Sequence, residues 1–503
     1  MRLSASIAAG LAHAGLAAAQ LAYADNQVTV LQDEDHVATN FPDVEGLELF
    51  SPAFVSPDTV PKAFANGTSG PTDELTMDHF LRTLAARNDY MTYHNPSFQS
   101  EEGRSLPYIY LSTSEKPGGS GSLKSYANST RSNDKVRIWM QGGVHGNEPA
   151  GDQALLALLG QFDANATWAA SILEHVELLV LPRYNPDGLA RQQTRDIKKL
   201  VMDYAPHVGV DCHEYTATRA YGASDQWHAA QDGQFSAMKN LNIHADIREL
   251  SETLFADSIA AAMESRGLRW SPYVTGNAGS DDVVLDETSS DAKMGDTSVG
   301  LSQAVMFLTE TRGIRLADQH WQRRVATGLT MVQALVQTAA DNAKLVHDTV
   351  ERARADFISS DEDIVITDYA KATNIPGPNL TRSRPQAYVF SRAWHDVADR
   401  LQAAGVVVDE LYGDFEGQVE ALNVTSSTVA TSKYEGVVRT TVTTESVSKG
   451  VKIPAGGYWV STRQKNAAHA FNVLEPENID SYVTFNILPV DVGDEYQVYR
   501  VPV

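Results

Sequence analysis

The stretch Val136-Arg137-Ile138-Trp139-Met140-Gln141-Gly142-Gly143-Val144-His145-Gly146-Asn147-Glu148 carries a β-branched and apolar run into a glycine turn that holds two potential metal ligands. An α/β protein places side chains just past its strand ends in a crevice, where they face a ligand rather than the core. The fold and the chemistry are therefore both read from this segment outward.

One imidazole and one carboxylate are too few for a divalent cation. A second apolar run, Val208-Gly209-Val210-Asp211-Cys212, ends in His213 and Glu214. Two histidines and a glutamate with an open fourth position form a ligand set of catalytic zinc. A third run, Ala304-Val305-Met306-Phe307-Leu308-Thr309, ends in Glu310-Thr311-Arg312. A fourth, Val176 to Arg183, closes on the turn Asn185-Pro186-Asp187-Gly188. A lone His-x-x-Glu is common by chance, but chemically apt residues at three strand ends are not.

In order and type these pieces resemble the zinc carboxypeptidases and their succinylglutamate desuccinylase and aspartoacylase relatives, over roughly residues 76 to 345. The resemblance implies that His145, Glu148 and His213 bind Zn2+ and that Glu310 is the general base. Zinc with three protein ligands activates water and polarises the scissile carbonyl, and a nearby carboxylate moves the proton to the leaving nitrogen.

The sequence departs from the family in one place. Members carry an Asp-x-Asn-Arg segment between the Asn-Pro-Asp-Gly turn and the last zinc ligand; its acid orients the first histidine and its Asn-Arg pair holds the substrate carboxylate. Here only Leu189 to His207 fills that interval, most of it one amphipathic helix on whose surface Arg191 and Arg195 fall. Arg183 and Arg312 are the expected carboxylate binders instead, and Tyr273 is the nearest match to the family's capping tyrosine. The abrupt Gly188-Leu189 junction predicts that genomic sequence there holds an in-frame piece encoding the missing segment.

The 503 residues allow two or three domains, and a net charge of −24 excludes nucleic acid and anionic membrane as partners. Met1 to Ala24 reads as a secretory signal peptide, and no later run reaches the ~20 apolar residues of a membrane span. Five sequons, at Asn66, Asn128, Asn165, Asn379 and Asn423, fit a secreted, extracellular glycoprotein. The single Cys212 forms no intramolecular disulfide; strand alternation turns it away from Asp211 and His213, into packing.

Residues 25–75 are an irregular, proline-rich lead-in. Residues 76–356 alternate strands with helices, which predicts an α/β domain with a mixed, largely parallel sheet flanked by helices. Residues 357–503 change to short alternating segments, a small β-rich accessory domain. The expected protein is a secreted metallocarboxypeptidase-like hydrolase acting on a peptide. The alternatives are a deacylase of N-acyl amino acids and an impaired zinc-binding relative that lacks the substrate clamp.

Overall fold

Where the sequence alternates apolar runs with amphipathic helices, the chain builds one twisted sheet. The computed structural model describes residues 28–54, 70–113, 134–187, 193–224, 227–276, 282–287, 290–367, 380–434 and 436–503. The leader, the junction at Gly188-Leu189 and the sequons at Asn66, Asn128 and Asn379 lie outside the described residues.

The main sheet has eight strands: β1 (Met91–His94), β2 (Tyr108–Leu111), β3 (Val136–Gly142), β4 (Val176–Leu181), β5 (Val208–Thr216), β6 (Gly233–Ala237), β7 (Trp270–Ser271) and β8 (Val305–Ile314). Their spatial order is β1-β2-β4-β3-β5-β8-β6-β7. The central four, β4, β3, β5 and β8, run parallel, while β2 against β4 and β6 against β8 are antiparallel. The expected mixed, largely parallel sheet is thus present. Its central strands are buried along almost their whole length, as a sheet covered on both faces requires.

Helices cover both faces. On one lie α1 (Glu74–Arg87), opened by Asp73 capping the Thr76 amide, and α2 (Pro149–Ala164), which begins with proline directly after Glu148. α2 rests so closely on β5 that a Cβ on Gly151 would lie 2.5 Å from the Cys212 carbonyl oxygen. The segment expected to be one amphipathic helix is α3 (Gln193–Tyr204), and the pair closing the domain is α4 (Trp321–Asp341) and α5 (Ala343–Ser359). The opposite face carries the short helix Gly295–Gly300, where a Cβ on Gly295 would meet an Asp211 carboxylate oxygen at 3.2 Å.

The β-rich end forms a second sheet of β9 (Ala387–Phe390), β10 (Asp409–Glu410), β11 (Phe415–Tyr434), β12 (Val437–Ile453), β13 (Tyr458–Ser461) and β14 (Val498–Val501), in the order β10-β13-β9-β14-β11-β12. Helix α6 (Ala467–Leu474) links the two parts: Asn472 accepts from Asn240 at 3.1 Å, and the Phe471 ring packs at a tilt against Phe357. Buried side chains of both sheets belong to one continuous apolar cluster. The lead-in is equally embedded. Phe50 fills the space a side chain at Gly160 would take, and Asp33 is buried against Arg312.

Candidate functional site

β3 and β5 pair in parallel, so both end at the same edge of the sheet and bring their following residues together. Gly143, at φ +64°, turns the chain sharply after β3 in a conformation that side chains other than glycine rarely adopt. Tyr184 and Asn185 fasten this turn by donating their amides to Gly142 and Gly143 at 2.8 and 3.0 Å, and the Asn185 side chain donates to Val144 at 2.9 Å. Tyr184 and Asn185 are therefore a brace for the ligand loop.

That loop presents His145 and Glu148 to His213 at the end of β5. His145 Nδ1 lies 2.9 Å from one Glu148 oxygen, His213 Nδ1 lies 2.9 Å from the other, and the two Nδ1 atoms are 3.2 Å apart. The three ligand atoms fall within 4.8 Å of one another. Behind them, His213 Nε2 meets Asp211 at 3.1 Å, the carboxylate support that a metal-binding imidazole ordinarily has. Two imidazoles and a carboxylate converging on one point, one of them held from behind, fit zinc.

The local electrostatics favour a cation. Burial would raise the Glu148 carboxyl, but hydrogen bonds from His145 and His213 outweigh it and bring its pKa down to about 2. Burial would lower the His213 imidazole, yet the charge and hydrogen bond of Asp211, with Glu148, lift it well above its usual value. Asp296, buried beside Asp211, is pushed up to about 7 by burial first and the Asp211 charge second.

Glu310 pairs in register with His213 across β5 and β8, so both side chains leave the same face of the sheet. It is buried, and its Oε2 has no hydrogen-bond partner among the described residues. Burial, then the charge of Glu148, holds its pKa well above the carboxylate range. Tyr273 is fixed through its amide to Phe235 and Ser236 and lies near Glu310; burial and the Glu310 charge push its phenol up to about 12. Arg219, in the turn after β5, acts on both Glu310 and Tyr273 and was not among the residues singled out from sequence. The only sequence signal for it is a cation six positions past His213 at a strand end.

The two expected carboxylate binders are otherwise engaged. Arg312 forms a two-pronged pair with Asp33 at 2.6 and 2.7 Å, donates to the Ala217 carbonyl at 3.1 Å and stacks on Phe41. In this structure the charge of Arg312 is directed to the lead-in. Arg183 lines the same cavity of about 380 Å³ as His145 and Glu148, but its guanidinium lies on Asp152 at 2.7 Å and donates to Thr72. Glu214 points to the opposite face, where Arg324 grips both its oxygens at 2.9 Å. Cys212 is buried in packing, and burial pushes its thiol up to about 12.

The gap in the family pattern has a structural counterpart. The His145 side chain is 58% exposed, against 10% for His213, and among the described residues its only carboxylate contact is Glu148.

A family model described as zinc carboxypeptidase matches residues 77–252. Carboxypeptidase 2 of Trichophyton equinum is 48% identical over 532 positions, covering 96% of each chain, and that of Trichophyton rubrum is 47% identical over 525 positions, covering 95% of this chain and 96% of the relative. The 532 aligned positions exceed the 503 residues of this chain, so that relative has residues this chain lacks. Among solved structures, a metallo-carboxypeptidase from Burkholderia cenocepacia matches at 14% identity with a TM-score of 0.37, covering 54% of this chain and 69% of that one.

Proposed function

Because the chain belongs to the zinc carboxypeptidase family, we propose that it is a secreted, zinc-dependent carboxypeptidase that releases the C-terminal residue of a peptide, with His145, Glu148 and His213 as the zinc ligands and Glu310 as the general base. The observation that carries this reading is the meeting of the three ligand atoms within 4.8 Å with Glu310 in register beside His213. When bound there, zinc supplies Lewis-acid activation of the water and the scissile carbonyl. The remaining work falls to the protein. Asp211 keeps the His213 ring oriented, and Glu310 takes the water proton and delivers it to the leaving nitrogen. A base with a raised pKa suits both halves of that transfer.

Catalysis is assigned to residues 76–356 and a supporting role to residues 357–503. The leader and sequons support export; of the described sequons, Asn165 is exposed at a helix N-terminus and Asn423 is half-buried on β11. Among the described residues no helix is long and apolar enough to cross a membrane.

The exposure of His145 favours a second reading, in which the site binds zinc weakly and turns over slowly because its first histidine lacks an orienting acid. Zinc content and cleavage of peptides and N-acyl amino acids, with and without 1,10-phenanthroline, separate the two. One tightly held zinc per chain and chelator-sensitive release of C-terminal residues is the expected result. Zinc that is lost on dialysis, with little turnover, selects the second reading, and chelator-insensitive cleavage overturns both.

A further inference from the structure

α2 ends at Ala164, at the far end of the helix from Glu148, and Asn165 turns the chain into a further helix, Ala166–Leu173. The Asn165 side chain caps that helix: its Oδ1 accepts the Trp168 amide at 3.0 Å. Asn165 also opens the sequon Asn165-Ala166-Thr167, and it is exposed. The cap uses Oδ1 and an N-linked sugar is carried by Nδ2, so one side chain can serve both ends.

A groove of about 560 Å³ opens beside this asparagine, within the ~300–1,000 Å³ of small-ligand sites. One wall comes from the lead-in, with Leu47 and Phe50; the other comes from the body, with Gln161, Trp168 and Gln333. The two walls meet where α2 ends, since a Cβ on Gly160 would clash with the Phe50 carbonyl oxygen. The Trp168 indole is held in place. Its Nε1 donates to Gln337 at 2.9 Å, and its ring centre lies 4.6 Å from that of Phe162. A fixed, half-buried indole with glutamines beside it suits a pyranose. The C–H face of the sugar lies on the aromatic plane, and its hydroxyl and N-acetyl groups exchange hydrogen bonds with the side-chain amides.

We propose that Asn165 carries an N-linked glycan whose first sugars lie in this groove, on Trp168, and tie the lead-in to the body. The inference rests on the export reading above and gives one sugar chain a place and a task. The transfer joins C1 of the first sugar to Nδ2 and breaks the C1–phosphate bond of a lipid-linked diphosphate oligosaccharide; the lipid diphosphate leaves, and the amide gives up one proton. Attachment at Asn165 then holds the sugar at the groove at a high effective concentration, so a weak contact is enough to fill it.

The test uses the full chain secreted from a glycosylating fungal host. Glycopeptide mass spectrometry is expected to find sugar at Asn165. Endoglycosidase H is expected to remove it from the native protein at least roughly 10-fold more slowly than from the denatured one, because the groove covers the first sugars until it opens. Thr167→Ala removes the sequon and keeps the Asn165 cap, whereas Thr167→Ser keeps both. Amide exchange in residues 46–50 is expected to quicken roughly 3- to 10-fold in Thr167→Ala, the size of one aromatic contact, and to hold the wild-type rate in Thr167→Ser. Trp168→Leu is expected to keep the glycan and lose its protection from the endoglycosidase. Zinc content is expected to be the same in all, since the groove and the ligand loop share no residue.

Sugar at other sequons with Asn165 bare overturns the inference. Equal digestion of native and denatured protein does so too, as does lead-in exchange that Thr167→Ala leaves unchanged. A secreted chain with the seated glycan that releases no C-terminal residue from peptides sinks the carboxypeptidase reading alone. A chain kept in the cell with no sugar at any sequon overturns both export and this inference.

Discussion

Glu310 is a carboxyl group enclosed by the protein, in register with His213 and with one oxygen lacking any partner among the described residues. An isolated buried acid is costly, so its retention calls for a purpose. Glu310→Gln keeps the volume and removes the proposed base. The expected outcome is unchanged zinc content with kcat lowered by about 10²- to 10⁴-fold. Because the native fold raises the pKa of Glu310, its ionised form destabilises the fold at neutral pH, and the glutamine variant is expected to melt at the same or a higher temperature. A variant with full turnover would remove Glu310 from the mechanism. At this scale His145, Glu148, His213 and Glu310 were legible in the sequence, because each follows an apolar run within a few residues. The partner of Arg312 was not legible, because Asp33 is 279 residues away. Arg219 was missed because a cation in a turn is ordinary until its neighbours are known.

The contact of α2 with β5 sets the distance between the loop that carries Glu148 and the strand that carries His213. Gly151 is the point of closest approach, with no room for a methyl against the Cys212 backbone. Backbone cannot give way as a flexible side chain can, so Gly151→Ala is expected to cost about 1–3 kcal/mol, read as a lowered urea midpoint with unchanged slope. Zinc affinity should fall with it, since α2 begins at Pro149, next to Glu148. A variant with native stability and affinity would show that the helix is not the spacer. The parallel strands and covering helices could be read from apolar runs and 3.6-residue periodicity. The hairpin of β11 and β12 could not: its strands run 20 and 17 residues, but much of it is exposed on both faces and Ser/Thr-rich, so the alternation that marks a half-buried strand is weak.

Across the whole molecule, the lead-in proves to be part of the same packed body as the main sheet. Asp33 joins it to Arg312 on β8 and to His320, and the Gln322 side chain exchanges hydrogen bonds with the Val44 backbone. Burial alone would raise the Asp33 carboxyl; hydrogen bonding and charge from Arg312, joined by His320, hold it below its ordinary 3.8. A depressed carboxylate contributes stability that is present above its unfolded pKa and lost as pH falls through the folded one. Asp33→Asn is therefore expected to destabilise the protein by about 3–5 kcal/mol at neutral pH, because it leaves Arg312 buried without its counter-charge. The gap between wild type and variant should close as pH drops below 3.8. A pH-independent difference would mean that shape, not charge, binds the lead-in. The sequence by itself determined the fold class and pointed to His145, Glu148, His213 and Glu310 as candidate site residues, because these depend on short-range order: apolar runs, a glycine turn and the residues directly after them. Only the tertiary structure decided that Arg183 and Arg312 are paired with Asp152 and Asp33, how far the first histidine is exposed and that the lead-in is built into the body. Those properties depend on which charges come together from distant parts of the chain, and a linear pattern does not record such pairings.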